Sequence, residues 1–459
     1  MSDAGLARAQ EKMRADGQPE AAIAVFSDYY RQLETGQTGL IREDTIEPLL
    51  DPPMLADVEV DEDAARDALD KTVIIKLNGG LGTSMGLDKA KNLLPLREGM
   101  TFLDIIVKQV LAARERYGVR LPLLLMNSFR TAADTEEALA AYPELARDGL
   151  PLGFVQNREP KLTADDLEPV EWPADPGLEW CPPGHGDLYI ALQASGVLDQ
   201  LIDNGYRYAN VCNGDNLGTS PNPTIAGWFA ASGAPYAAEV CRRTVNDRKG
   251  GHLAIRKADE QLILRDTAQT ADDELHYFTD EHRHPFFHTN NLWFDLVVLR
   301  DALADRDSVL GLPLIRNEKT VDPADKTSTK VIQIESAMGA AVEVFEGATA
   351  ICVGRDRFLP VKTTNELLLL RSDLYELDEA FRLVATTDAT VKVNLDPDHY
   401  KLVHDFDARF PAPIGLRGAT SFDVAGDWSF GQDISVVGAV SLDAEQAGPV
   451  ADGTVLRGE

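Results

Sequence analysis

Two short apolar runs that stop abruptly at glycine constrain this chain more than any other feature. Val73-Ile74-Ile75 halts at Asn78-Gly79-Gly80, and the run from Tyr208 to Cys212 halts at Asn213-Gly214-Asp215. A further apolar run spans Leu123 to Met126. Ahead of it, Thr101-Phe-Leu-Asp104 has the form of a capping box, with Asp for the usual Glu, before apolar Ile105, Ile106 and Val110. Short buried strands alternating with helices predict an α/β fold, a mostly parallel sheet wrapped by helices. Such sheets bind ligands beyond the carboxyl ends of their strands. Both glycine-rich strand ends therefore invite a functional reading.

The flanks differ from this middle. Residues 1–70 read as a helical segment packed on the main domain: Pro19 opens a stretch in which Ile23, Phe26, Tyr30 and Leu33 recur at helical spacing, and Gly36 closes it. Seven carboxylates and one Arg between Asp57 and Asp70 read as a solvated linker or helix face. After about residue 385, Phe410, Leu416, Phe422, Trp428, Ile434 and Val440 recur every six residues. A helix cannot align them, because six steps of about 100° miss closure by about 120°. A hexapeptide β-helix can; irregular β-structure with chance spacing is the competing reading. The division expected is 1–70, 71–384 for the central α/β domain and 385–459 for the carboxyl-terminal domain.

Charge excludes one class of partner. Among 459 residues, 44 Lys and Arg face 75 Asp and Glu, a net charge of −31. A nucleic-acid binder needs the opposite footprint, whereas a small phosphate-bearing molecule needs only a local pocket of amides and lysines. No apolar run reaches the roughly 18 residues of a membrane span, and the opening MSDAGLARAQEKMRADG lacks the apolar core of a signal peptide. Cys181, Cys212, Cys241 and Cys352 are far apart and form no CxxC pair, which disfavours a zinc site or disulfide framework and makes a cytoplasmic setting simplest.

Four clusters carry chemistry. Lys76-Leu-Asn-Gly-Gly-Leu-Gly-Thr-Ser-Met-Gly-Leu-Asp-Lys-Ala-Lys91 places Gly79, Gly80, Gly82 and Gly86 where backbone amides can approach a phosphate or a base edge, with Lys89 and Lys91 to supply charge. It matches neither GxxxxGK[ST] nor GxGxxG, and a ligand-free turn is the bland alternative. Trp180-Cys-Pro-Pro-Gly-His-Gly-Asp187 holds one imidazole on a rigid loop, as a ligand contact or as a structural hydrogen-bonder. Asp215, past an apolar strand, suits Mg²⁺ or merely caps a turn. In Arg355-Asp-Arg-Phe-Leu-Pro-Val-Lys362, surface solvation accounts for the arginines, while Lys362 reads as a lysine delivered into a site or as another solvated cation.

These segments resemble the eukaryotic-type UTP–glucose-1-phosphate uridylyltransferases (UDP-glucose pyrophosphorylases). KLNGGLGTSMG, PPGHGD, NGDNLG, HTNNLWF, IQIESAMGAA and FLPVKTT occur in the family's order, from about residue 40 to about 380. The resemblance implies a Rossmann-like nucleotidyltransferase domain followed by a left-handed parallel β-helix. It implies that Leu77, Asn78, Gly79 and Gly80 touch the uridine and its phosphates, that Lys91 reaches the UTP phosphates, and that Gln156 and the backbone of Gly184 read the uracil edge. It places His185 near the sugar phosphate, Asn213 on the sugar or ribose side, and Asp215 on Mg²⁺. Asn290 and Glu335 become partners of hexose hydroxyls, and Lys249 and Lys362 are directed at phosphates, with Lys362 and Lys91 the catalytic cations. Asp88-Lys-Ala-Lys-Asn92 replaces the family's Lys-Gly-Pro-Lys-Ser, so Lys89 or Lys91 can take the phosphate role, and His288 stands where the family usually has Asn.

The implied reaction joins UTP and glucose 1-phosphate to give UDP-glucose and pyrophosphate. The sugar phosphate has a second pKa near about 6 and is already anionic at pH 7, so alignment and charge neutralisation, rather than a general base, would carry the rate. Competing readings are a broad UDP-sugar pyrophosphorylase, a UDP-N-acetylhexosamine pyrophosphorylase, a catalytically silent nucleotide-sugar-binding regulator, and, remotely, a nicotinamide-dependent oxidoreductase. Neither nucleic acid nor membrane is an expected partner. A homo-oligomer is open, since the region that mediates assembly in some family members is short here.

Overall fold

The computed structural model describes residues 2–36, 39–244, 247–248 and 250–458. Its centre is a ten-stranded mixed sheet in which Gly153–Val155, Leu123–Asn127, Thr72–Asn78, Tyr208–Asn213 and Phe286–Asp295 are successive neighbours. The first four are mutually parallel, and Phe286–Asp295 runs against them. It pairs in turn with Tyr236–Arg242, which is parallel to Thr349–Cys352, and at His252↔Phe287 with His252–Arg256. Among the described residues seven of the ten strands share one direction, as the continuous apolar runs predict for strands buried on both faces.

Alternation along the Thr72 strand sends Val73 and Ile75 into one core and Ile74 into the other, so the sheet is covered on both sides. The helix Phe102–Tyr117 lies over the Ile74 side. It begins with the expected capping box, in which Thr101 accepts from the Asp104 amide and Asp104 from the Thr101 amide, and it ends at Gly118 in the left-handed region. Strand order runs from Thr72 outward to Leu123 and Gly153, then returns to the other side of Thr72 with Tyr208. The reversal between the Thr72 and Tyr208 strands is a topological switch point, where a crevice opens at the carboxyl ends. There Leu77 is paired with Asn213.

The amino-terminal segment combines helices with a strand. Ser2–Ala15 and Glu20–Glu34 form a helix pair packed on Leu162, Leu314, Ile332 and Ile334, and Glu62–Asp70 is a third helix capped by Asp61. Residues 39–61 hold no α-helix, however, only the short 3-10 turns Glu43–Thr45 and Leu55–Asp57. Ile46–Pro48 is a strand paired with His252–Arg256, so this segment supplies an edge of the main sheet rather than only a helical layer.

In the carboxyl-terminal part, Lys392–Leu395, Gly415–Val424, Ser435–Leu442 and Val455–Arg457 form an all-parallel sheet, with Ser429–Phe430 parallel to Pro449–Val450 beside it. Leu416, Phe422, Ile434 and Val440 are buried, and Phe410 stacks on Phe430 with ring centroids 4.5 Å apart. Trp428 is only half-buried. Pro397–Tyr400 and Val403–Arg409 are helices, so the start of the region departs from a β reading. The four cysteines are buried and free. Among the described residues no helix is long and apolar enough to cross a membrane.

Candidate active site

The switch-point crevice is a cleft of about 300 Å³, and Leu77, Asn78, Gly79, Gly80, Lys91, Gln156, Gly184, His185, Asn213 and Asp215 line it. Four separate sequence segments thus converge. Met126, Pro182, Asn92 and Gly214 complete the wall and were not singled out from sequence.

The glycine loop is closed by its own backbone: Leu81 bridges to Ala90, and the Lys91 amide donates to the Gly80 carbonyl at 3.1 Å. This closure leaves Lys89 exposed and turns Lys91 into the cleft. A methyl group on Gly79 would sit 3.1 Å from Gln156 Nε2, so the missing side chain is what lets the Gln156 amide lie over the loop. Asn78 lines the cleft and is also tied into the scaffold around it. Its Nδ2 donates to Asn127 Oδ1 and Thr135 Oγ1, both at 2.7 Å, and so ties its strand end to the neighbouring one and to the helix Ala132–Leu139.

Opposite lies the Pro182–Asp187 loop, zipped onto the segment after Glu335. Ser336 donates its amide to the Pro183 carbonyl and accepts from the Gly186 amide. Gly184 has φ of 78°, and a Cβ there would lie 2.7 Å from the Ser336 carbonyl oxygen. His185 is half-buried, and its Nδ1 accepts from the Met338 amide at 2.9 Å. Nε2 therefore carries the proton, and burial lowers the imidazole pKa, so the ring is a neutral donor at pH 7. Asp187, the last residue of the motif, was given no role from sequence. It is buried and accepts from Asn157 N and Nδ2 at 2.6 and 2.7 Å, holding the Gln156 loop against the His185 loop. Desolvation pushes its carboxyl up to about 7, against the lowering effect of those two bonds.

Asp215 sits on the third segment. Lys91 Nζ donates to Asp215 Oδ2 at 2.6 Å and also to the Val361 carbonyl. Lys362 follows on that strap but is exposed and does not line the cleft. Its neighbours divide the sequence reading of the arginines, which holds for Arg355 and fails for Arg357. Arg355 is exposed and pairs with Asp247, whereas Arg357 is buried and bonds to Glu239 with both Nε and a terminal nitrogen at 2.8 Å. Nothing local marked Glu239 as its partner.

Asn290 and Glu335 lie outside the cleft wall. Asn290 has φ of 60° at a bulge in the Phe286 strand, between the Glu239↔Asn291 and Val240↔His288 pairs. Glu335 is half-buried behind Gly184, its carboxyl raised by desolvation. Lys249 falls outside the described residues.

The family model described as UTP–glucose-1-phosphate uridylyltransferase matches residues 23–437, which contain every one of these segments. The chain belongs to that family. A uridylyltransferase of this name from Hordeum vulgare is 37% identical over 466 residues, covering 99% of this chain and 95% of its own. One from Saccharomyces cerevisiae is 37% identical over 387 residues, covering 82% and 74%. A crystal structure of a UDP-glucose pyrophosphorylase variant from Leishmania major, in complex with UDP-glucose, matches with a TM-score of 0.92 at 39% identity, over 99% of this chain and 98% of that one. In this member of the uridylyltransferase family His288, which departs from the Asn expected there, is buried. Desolvation and the nearby His185 push its pKa down to about 4.

Proposed function

We propose that this chain transfers the uridylyl group of UTP to glucose 1-phosphate, with UDP-glucose and pyrophosphate as products. The convergence of Gly79, Gly80, Lys91, Gln156, His185 and Asp215 on one cleft, in a chain of this family, carries the reading. An oxygen of the sugar phosphate attacks the α-phosphorus, a P–O bond forms, and the bond from the α-phosphorus to the bridging oxygen of pyrophosphate breaks. No proton need be removed from the nucleophile, because the phosphate is already ionised at pH 7.

The residues then act by position and charge. The Gly79–Gly80 backbone approaches the nucleotide closely, and Gln156 with the Gly184 backbone reads the uracil edge. The Nε2–H of His185 donates to the sugar phosphate. Lys91 supplies an ammonium to the UTP phosphates from inside the cleft, and Lys362 supplies a second. Leu77 and Asn213, paired across the two strand ends, floor the site. Asn290 and Glu335 meet the hexose hydroxyls, and Lys249 is assigned to a phosphate by the family pattern alone.

Among the described residues no three His, Cys, Asp or Glu side chains form a ready-made metal cage. A single carboxylate at a strand end, completed by substrate phosphates, is the donor set that suits Mg²⁺. Asp215 would hold the ion, which when bound neutralises phosphate charge.

The central domain is taken as 71–384, with 1–70 packed on it and 385–459 as a left-handed β-helix. Parallel pairing of Gly415 with Ser435 and of Phe422 with Val440, 18 to 20 residues per coil, supports that last assignment. Four buried free thiols favour a cytoplasmic setting.

The test is pyrophosphate release from UTP and Mg²⁺ with a panel of hexose 1-phosphates. Strong glucose preference supports the proposal. Equal use of galactose 1-phosphate points to the broad-specificity alternative, and UDP-glucose binding without turnover points to the regulator.

A further inference from the structure

Behind the cleft, sealed from solvent, Glu239 has all its acceptor capacity filled. Its Oε1 accepts from an Arg357 terminal nitrogen and from Trp293 Nε1 at 2.8 and 3.0 Å; its Oε2 accepts from Arg357 Nε and Asn291 Nδ2 at 2.8 and 3.2 Å. Burial opposes ionisation of Glu239, yet the guanidinium outweighs it and holds the carboxyl below its ordinary range. The bonds continue outward. The Arg357 carbonyl accepts from Asn216 Nδ2 at 3.1 Å, Asn216 Oδ1 accepts from the Leu359 amide at 2.8 Å, and the Val361 amide donates to the Asp215 carbonyl at 3.3 Å. In the other direction the Glu239 carbonyl accepts from Thr289 Oγ1 at 2.7 Å, at the bulge that displays Asn290.

We infer that Glu239 and Arg357 form a positioning pair that locks the Asp215 loop, the Lys362 strap and the Asn290 bulge into one unit. The inference rests on the uridylyl-transfer reading of those three elements. Stability alone does not call for an ion pair here, since apolar packing often serves a buried position as well or better. What apolar packing cannot do is set the direction and spacing of two loops through directed bonds. A second, independent feature shows how closely the loops are held. A Cβ on Gly218 would lie 2.4 Å from the Asp356 carbonyl oxygen and 2.7 Å from the Arg357 carbonyl carbon, so this glycine lets the two backbones touch.

The test compares three variants of the whole protein with the wild type, each measured for kcat, both KM values and melting temperature. Arg357→Lys keeps the charge but loses the planar fork that fills both carboxylate oxygens. Gly218→Ala keeps both charged side chains and wedges the loops apart. Trp293→Phe removes one donor to Glu239 from a strand that carries neither loop. We expect Arg357→Lys and Gly218→Ala to lower kcat of the folded enzyme about 10- to 100-fold, as a misplacement near 1 Å does, with both KM values within about threefold. Trp293→Phe should lower only the melting temperature. Wild-type kcat in folded Arg357→Lys or in Gly218→Ala, with only stability reduced, would overturn the inference; where Arg357→Lys does not fold, Gly218→Ala decides alone. A wild-type protein without turnover removes the uridylyl-transfer reading and this inference together, and is distinguished by that same first measurement.

Discussion

Lys91 Nζ lies 2.6 Å from Asp215 Oδ2, joining the end of the glycine loop to the end of the Tyr208 strand, 124 residues away. Both side chains are about one-fifth exposed, enough to meet a ligand yet shielded from full solvent screening. Two consequences concern phosphate and metal. Lys91→Ala should lower kcat/KM by about 10²–10³, the scale of losing one preorganised donor at a developing charge. Asp215→Asn should raise the Mg²⁺ concentration needed for half-maximal rate while leaving UDP-glucose binding by calorimetry largely intact. Titration of Mg²⁺ into both variants after chelator treatment checks this.

Lys362 offers a different balance. Because it is exposed, Lys362→Ala should change stability by no more than about 0.5 kcal/mol, while kcat falls far more than affinity for the sugar phosphate. Paired thermal melts and initial rates decide the matter. Unchanged turnover would remove Lys362 from the mechanism.

Gly184 tests backbone geometry. Its φ of 78° is strained for any L residue, and a Cβ would meet the Ser336 carbonyl oxygen at 2.7 Å. Gly184→Ala should destabilise by about 1–3 kcal/mol and also lower kcat/KM, because His185 moves with the loop. Chemical denaturation and initial rates on the same preparation would show both losses.

Asp187 predicts a pH effect with a definite sign. Its carboxyl is raised to about 7 in the fold, by burial, and titrates near about 3.9 when unfolded. Between those values the folded chain holds a proton that the unfolded chain has released. Raising the pH across that window therefore draws the equilibrium towards unfolding, and the loss is complete above about pH 7. Asp187→Asn cannot ionise. The difference in melting temperature between wild type and Asp187→Asn should shift against the wild type from pH 5 to pH 8; a difference that does not change with pH would contradict the assignment.

How much of this was legible beforehand depends on the distance over which each feature is decided. The Thr72 and Tyr208 strands, the capping box at Thr101 and the glycine loop were readable because apolar runs, helix caps and missing side chains act within a few residues. The strand at Ile46–Pro48 was not, since it becomes a strand only by pairing with His252–Arg256.

The same holds for charge. An ordered set of motifs sufficed for the family, because each motif carries its own local chemistry. Only the tertiary structure decided that Lys91 and not Lys89 enters the cleft, that Arg357 is buried while Lys362 is exposed, and that Asp187 is a clamp. Whether a charged side chain is solvated or enclosed depends on what the fold brings opposite it, and Glu239 stands 118 residues from Arg357. A linear pattern holds no record of that encounter until the sheet has closed around it.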